Sequence, residues 1–290
     1  MMSGVFLVNA AFAQGGIVLD LIKTIILGIV EGVTEFLPIS STGHLIIATA
    51  LLQPSFANTP FANTFEIFIQ LGAIIAVVAF YRLEIWQQVK TVRTDQKVQH
   101  FWIAILIAFI PAAVIGLATR SFIKTHLFSP VIVAVSLIVG GVLFIVIERM
   151  LSDKKADQPE ALMEVTYRQA GIIGVIQVIS LIPGVSRAAT SILGGMLSGL
   201  DRKTATRFSF YLAIPTLGAA TVVELLLSLK DIHGSDLAFL AVGTVVTGIV
   251  AWFVVGWLLR YISQHNFTAF GYYRIVAGIV ILLLIAASLL

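Results

Sequence analysis

Six long apolar stretches, joined by loops in which the basic residues collect, limit what this chain can become. They cover roughly 64–81, 101–119, 130–148, 207–228, 237–259 and 273–290, and an α-helix needs about 20 such residues to cross a bilayer. The chain is 59% hydrophobic and 11% charged, against about 25% charged in a soluble domain. A soluble core is excluded, and the expected fold is an all-α polytopic membrane protein with six transmembrane helices. Two further apolar regions, 17–53 and 167–200, are long enough to enter the membrane but are broken at Leu37-Pro38 and Pro183-Gly184. Proline disfavours helix at the residue before it. A broken helix at membrane depth is tolerated only where protein buries it or where it lines a wet cavity. Both regions are therefore read as re-entrant helix hairpins.

Loop charges support that count. Residues 82–100 carry Arg82, Lys90, Arg93 and Lys97, and residues 148–168 carry Arg149, Lys154, Lys155 and Arg168. The turn 201–207 holds Arg202, Lys203 and Arg207, and the turn 260–274 holds Arg260 and Arg274. The opposite side holds only Arg120, Lys124, Lys230 and, before the first break, Lys23. With two re-entrant hairpins all the basic loops share one face, which the positive-inside rule places in the cytoplasm with both termini outside.

The halves also match each other. Residues 28–48 and 174–194 share a Gly start, Glu31 or Gln177, a proline break, and a Ser pair or Ser-Arg; Phe65-Glu66 corresponds to Phe208-Ser209. This is the pattern of an inverted-topology repeat, about 17–150 and 165–290, whose broken elements meet near the midplane. Residues 17–290 form one membrane-embedded domain on this reading. Residues 1–16 are read as an N-terminal extension, because Gly4–Ala13 lacks the positive n-region of a signal peptide. The chain has no cysteine, which excludes disulfides, thiolate metal sites and cysteine nucleophiles. Its basic residues are dispersed between apolar segments, so nucleic acid is not a partner.

Ionisable groups inside apolar runs are costly and read as functional. The stretch Glu31-Gly-Val-Thr-Glu-Phe-Leu-Pro-Ile-Ser-Ser-Thr-Gly-His44 gathers two acids, two serines, a threonine and a histidine. Glu31 and Glu35 are four apart and share a helix face. Beyond Pro38, Ser40 or Ser41 suits the N-cap of a second helix starting near Thr42, with His44 in its first turn. Glu35, Ser41 and His44 then converge beside free helix N–H groups, which attract phosphate. After the second break comes Pro183-Gly-Val-Ser-Arg-Ala-Ala-Thr-Ser191. Ser186 is a natural N-cap, and Arg187 in the first turn opposes the helix dipole unless an anion sits there. Its planar fork suits phosphate oxygens. Glu31, Glu35, Ser41, His44, Ser186 and Arg187 are thus expected around one pocket. Ser40, Thr42, Gly184 and Ser191 are further substrate-binding candidates, and Glu31 with Glu35 can hold a divalent cation bridging phosphates.

Plainer readings exist for each group. Glu31 and Glu35 can be structural ion-pair partners of Arg187. Ser40 and Ser41 can be caps alone, and His44 a satisfied core histidine. Glu66 and Gln70 read as support for the site, and Glu224 as a side chain reaching the interface. Tyr272 and Tyr273 fit an interfacial aromatic belt. Gly140-Gly141 and Gly194-Gly195 read as close helix packing.

Glu31 to His44 and Pro183 to Ser191 together resemble the undecaprenyl-diphosphate phosphatase family of the bacitracin-resistance type. The family's Glu-x-x-x-Glu motif running into Phe-Leu-Pro-x-Ser-Ser-Thr-Gly-His is complete here. Its Pro-Gly-x-Ser-Arg-Ser-x-x-Thr motif has Ala188 in place of Ser and Ser191 in place of Thr. The similarity extends through Phe65–Gly72 and Phe208–Phe210, from about residue 17 to 290. It implies a multi-pass enzyme of the bacterial cytoplasmic (inner) membrane that removes the terminal phosphate of undecaprenyl diphosphate. The product is the lipid carrier of cell-wall synthesis, and the activity confers bacitracin resistance. It also implies a need for a divalent cation and a pocket opening to the outer, periplasmic face.

The expected chemistry is phosphoryl transfer. Arg187, the hairpin N-termini and Mg²⁺ or Ca²⁺ held by Glu31 and Glu35 neutralise the diphosphate. Ser41 attacks, with His44 or Glu35 taking its proton; His44 or a metal-activated water are the alternative nucleophiles. The partners are a polyprenyl diphosphate and membrane lipids, and the oligomeric state is open, a homodimer included. A lipid-phosphate transporter or flippase is the rival reading, because inverted repeats and broken helices serve transport as well.

Overall fold

A computed structural model describes residues 2–151, 162–228, 232–234 and 236–290, with residues 2–15 as backbone alone. Lys154, Lys155 and Lys230 lie outside the described residues. Among those described, the chain is helical without a strand. Six helices are long and apolar enough to cross a membrane: α3 (Pro60–Phe80), α5 (Gln96–Phe122, continued by a π-helical turn to Leu127), α6 (Pro130–Leu151), α9 (Arg202–Ser228), α10 (Asp236–Ile262) and α11 (Thr268–Ala286). They coincide with the six expected spans. Prolines open α3 and α6, where the missing N–H costs nothing. Large apolar side chains such as Val114, Phe253 and Leu283 stay about 60% exposed, as lipid-facing surfaces require.

Each broken region forms a helix, a break and a second helix. The first is α1 (Met2–Thr34) and α2 (Ser41–Leu52); the second is α7 (Tyr167–Gln177), a short 3₁₀ stretch (Val178–Leu181) and α8 (Arg187–Leu197). Residues 2–16 continue α1 without interruption. A capping box of Thr166 and Gln169 starts α7, each satisfying the other's free backbone N–H. A short amphipathic helix, α4 (Arg82–Thr91), fills the first basic loop.

Helix partners exchange between the halves as a two-fold repeat requires. α1 packs on α10 and α7 on α5; α3 packs on α10 and α9 on α5; α3 meets α9, and α6 meets α11. Gly28 lies 3.0 Å from Gly243 O across the α1–α10 contact, measured from a built Cβ, and Gly174 lies 2.7 Å from Ala108 O across the α7–α5 contact. Gly141 and Gly271 let α6 and α11 touch in the same way, and Gly194 and Gly195 face Ile173 and Ala205, so both glycine pairs serve packing.

Two charged residues depart from expectation. Arg274 is not a loop charge: it lies in α11 with none of its surface exposed. Its charge therefore does not count toward the basic face. Glu224 is not an exposed side chain. It is 5% exposed and held by Arg120 and by Lys124 at 3.0 Å, because a buried carboxylate left unpaired is too costly.

Candidate active site

The residue before the second helix has the same backbone in both breaks. Ser40 precedes α2 with φ +73°, and Ser186 precedes α8 with φ +76°. Non-glycine residues rarely adopt positive φ, and such strain is held only where surrounding structure imposes it. Both helices therefore start at a fixed point, Ser41 and Arg187 being their first residues. Gly184 has φ +90°, and a built Cβ there would come within 2.6 Å of Val133 O, so only glycine fits. Ser186 caps α8 by accepting from Ala189 N at 3.2 Å, as expected. Ser40 occupies the N-cap position of α2 without a side-chain cap bond; there the serines are not serving as caps.

Arg274 joins the two breaks. Its guanidinium donates to Pro38 O at 3.1 Å in the first and to Gly184 O and Val185 O at 3.2 and 3.0 Å in the second. Carbonyls in a break have no helical partner, and leaving them unbonded in an apolar interior is costly. A built Cβ on Gly140 would collide with this guanidinium, so the Gly140-Gly141 pair also makes room for it.

The side chains meet in a cavity of about 110 Å³ lined by Glu35, Ser40, Ser41, Thr42, Gln70, Ser180, Pro183, Gly184, Ser186, Arg187 and Leu217. Ser41 Oγ donates to Glu35 Oε2 at 2.7 Å, and Arg187 Nη2 donates to Glu35 Oε1 at 3.0 Å. The Arg187 and Glu35 side chains are 9% and 6% exposed. Arg187 Nη1 donates to Ser209 O at 3.0 Å, and the Phe36 ring lies 5.7 Å from the guanidinium, within cation–π range. Arg187 Nε is buried without a partner. The ion pair of the plainer reading is thus formed with Glu35, and Arg187 retains an unused donor.

Glu31 is fully buried, neither of its carboxylate oxygens receives a bond from a donor group, and its carboxyl lies within bonding range of Glu35 and in electrostatic range of Glu66 and Arg187. Gln177, its counterpart in the repeat, is equally buried with both amide atoms unpaired. Orphaned polar atoms of this kind are rare and ask for a missing partner. Among the described residues no group of three or more metal-type side chains forms. Two carboxylates alone suit a cation that takes its other ligands from water and phosphate, so the residues present fit one.

Three expected site residues, Glu31, His44 and Ser191, do not line the cavity, and Glu31 is buried outside it. His44 Nδ1 lies 2.7 Å from Ser40 O and its Nε2 lies 2.6 Å from the Tyr273 hydroxyl. A carbonyl only accepts, so Nδ1 carries the proton and neutral Nε2 accepts from Tyr273. The ring also stacks on Tyr273 with centroids 5.5 Å apart, so Tyr273 is a partner of His44 rather than only a belt residue. Ser191 sits behind Arg187: its hydroxyl donates to Arg187 O at 2.8 Å and meets Ser209 Oγ at 2.7 Å. Ser209 and Arg274 were not among the expected site residues. Ser209 had a signal, since Phe208-Ser209 corresponds to Phe65-Glu66 in the repeat.

The family model of the bacitracin resistance protein BacA matches residues 24–280. An undecaprenyl-diphosphatase of Thermoanaerobacter sp. (strain X514) is 47% identical over 93% of this chain and 98% of its own. One from Methylobacillus flagellatus is 46% identical over 91% and 98%, and one from Deinococcus radiodurans is 43% identical over 94% and 98%. A duplicated, broken-helix membrane protein carrying this pocket, and alike to these relatives over nearly its whole length, belongs to the bacitracin resistance protein BacA family.

Proposed function

We propose that this chain is an undecaprenyl-diphosphatase, an integral membrane hydrolase that converts undecaprenyl diphosphate and water to undecaprenyl phosphate and inorganic phosphate. The product is the carrier lipid of cell-wall synthesis, and restoring it opposes bacitracin. The observation that carries the reading is Ser41 Oγ at 2.7 Å from Glu35, at the junction of two helix N-termini with Arg187, in a chain 43–47% identical to undecaprenyl-diphosphatases.

The N-termini of α2 and α8 and the Arg187 guanidinium receive the terminal phosphate. Binding draws Arg187 from Glu35 to phosphate oxygens, matching its fork to two of them. Glu35 keeps the Ser41 hydroxyl on Oε2 and takes its proton, and Oε1, released by Arg187, is the oxygen left for a cation. Ser41 Oγ forms a bond to the terminal phosphorus as the bond from phosphorus to the bridging oxygen breaks, and undecaprenyl phosphate leaves. Water, its proton taken by Glu35 after that group has lost the first, then cleaves the phosphoserine. Positioning and charge stabilisation supply most of the rate. Glu35 is better placed than His44 to serve Ser41, because both His44 ring nitrogens are engaged elsewhere. Glu31 with Glu35 would hold Mg²⁺ or Ca²⁺, which when bound neutralises diphosphate charge. Thr42, Ser40, Gly184 and Ser186 contact the phosphates from the rim, and Ser191 fixes Arg187 from behind. Residues 17–290 act as one catalytic domain.

The chain sits in the inner membrane with the pocket open to the outer face. This orientation rests on the basic loops 82–100 and 201–207, and a cysteine placed at Gln96 should resist an impermeant thiol reagent in intact cells. The activity is tested by phosphate release from undecaprenyl diphosphate in detergent. Wild type should release phosphate and Arg187→Ala should not; equal inactivity of both would refute the phosphatase.

A further inference from the structure

We propose that the groove between α5 and α9 seats the isoprenoid tail of the lipid diphosphate. The inference rests on the phosphatase reading and adds the place that recognises the lipid. A cavity of about 320 Å³ runs between these helices. Ala112, Ala113 and Gly116 of α5 and Ala219, Ala220 and Val223 of α9 line it, small side chains that leave a slot rather than a contact. Ser180, in the turn before the second break, lines both this groove and the catalytic cavity. The neighbours Thr216 and Leu217 divide between them, the first in the groove and the second in the cavity. An apolar slot therefore lies beside the phosphate site, with Ser180 on the wall they share, as a ligand with an anionic head and a hydrocarbon tail needs. At one end Glu224, Arg120 and Lys124, which also line the groove, tie α9 to α5 by ion pairs.

The repeat supplies an internal control. The pair α3–α10 is the counterpart of α9–α5. In that pair Gly72 lets α3 lie against the α10 backbone at Thr244 O and Gly248 N. In the register set by Phe65-Glu66 and Phe208-Ser209, Gly72 corresponds to Pro215. Both α5 and α9 carry an internal proline, Pro111 and Pro215, which removes a helix hydrogen bond and crowds the preceding turn. A depression also exists beside Gly72, but it shares no lining residue with the catalytic cavity. Of these two, the α5–α9 groove is the one that shares a wall with the site.

Two experiments test the tail site. Ala113→Phe fills the slot and Ala113→Val fills it partly; Val114→Phe, on the 60% exposed lipid face of the same helix, is the control. Ala113→Phe should raise KM for undecaprenyl diphosphate about tenfold, the size of effect one misplaced apolar group has in a pocket, with Ala113→Val intermediate. Turnover of a single-isoprene diphosphate, too short to fill the groove, should change in neither, and Val114→Phe should match wild type on both. Equal losses on short and long substrates, or equal losses in Val114→Phe, would overturn the site. The second readout needs no turnover. The chain has no native cysteine, so a maleimide labels Ala220→Cys alone. Undecaprenyl diphosphate should slow labelling, whereas inorganic diphosphate and a polyprenol of the same length should not. Equal protection by the polyprenol identifies a general lipid groove, and no protection by undecaprenyl diphosphate an unused one; either result rejects the proposal. If no diphosphate were hydrolysed by wild type the phosphatase reading would fail, and labelling would still decide the groove.

Discussion

At the first break Ser40, at φ +73°, precedes Ser41; at the second Ser186, at φ +76°, precedes Arg187. The backbone at these two serines repeats, and the side chains that follow do not. One hairpin presents a hydroxyl and two acids, the other a guanidinium, an amide and a cap. Glu31 and Gln177 occupy matching buried positions, and both lack partners. A duplicated scaffold brings two helix N-termini to one point, and divergence of the side chains there makes the point reactive. Had both halves kept the same residues, two like charges would face each other in a small cavity, which low-dielectric surroundings penalise heavily.

The largest effect should come from removing what each hairpin contributes alone. Ser41→Ala and Arg187→Ala should each lower kcat by about 10³ or more, the scale for losing a nucleophile or a charge-stabilising donor. Ser41→Ala should still bind undecaprenyl diphosphate in a titration. Arg187→Lys, which keeps charge but loses the fork, should raise KM and lower kcat together. If Ser41→Ala retained most of its kcat, the nucleophile would be His44 or water.

Next is the arginine that serves both hairpins. Arg274→Leu removes three bonds to the two breaks and should cost about 3 kcal/mol, the scale of unsatisfied buried polar groups. Thermal melting in detergent should show the loss along with falling activity. Normal melting would mean the breaks hold themselves. Glu31→Gln should lower kcat about 10²-fold and raise the cation concentration needed, on the assumption that a carboxylate interaction is worth about 2–3 kcal/mol. Gln177→Met at the matching position should change kcat by no more than a few-fold. Similar cation responses in the two variants would remove Glu31 from the cation site.

The smallest effect compares packing. Gly72→Ala forces a methyl against the α10 backbone and should cost about 1–3 kcal/mol, as overpacking does. Gly218→Ala in α9 meets nothing within 4 Å and should be neutral or gain a few tenths, the helix preference for alanine offsetting nothing. Equal costs would mean that α5–α9 is packed as tightly as α3–α10.

Much of this was legible in the sequence because membranes make patterns loud. Spans need uninterrupted apolar length, so each of the six announces itself. A proline or an acid inside such a run is conspicuous, which is why Pro38, Pro183, Glu31, Glu35 and Arg187 could be singled out from residues alone. Arg274 was not legible as a clamp. An arginine near the start of an apolar stretch looks the same whether it faces water or turns inward to carbonyls 236 and 90 residues away. His44 lies three residues from Ser41, close enough to suggest a base. Its direction was set by Tyr273, 229 residues distant, which local spacing does not reveal. The pairing of Glu224 was not legible, because Arg120 and Lys124 belong to another helix. The groove had only a faint signal in the prolines of α5 and α9, since separation between helices is a property of pairs.

The central claim is that one catalytic unit spans the repeat, with Glu35 from the first hairpin and Arg187 from the second. A double-mutant cycle of Glu35→Gln and Arg187→Lys, read as kcat/KM for undecaprenyl diphosphate, tests it directly. Residues acting as a unit lose activity non-additively. The expected result is that the double variant is about as impaired as the worse single one. Losses that multiply across the two substitutions would show that the hairpins act independently, and would contradict a shared site.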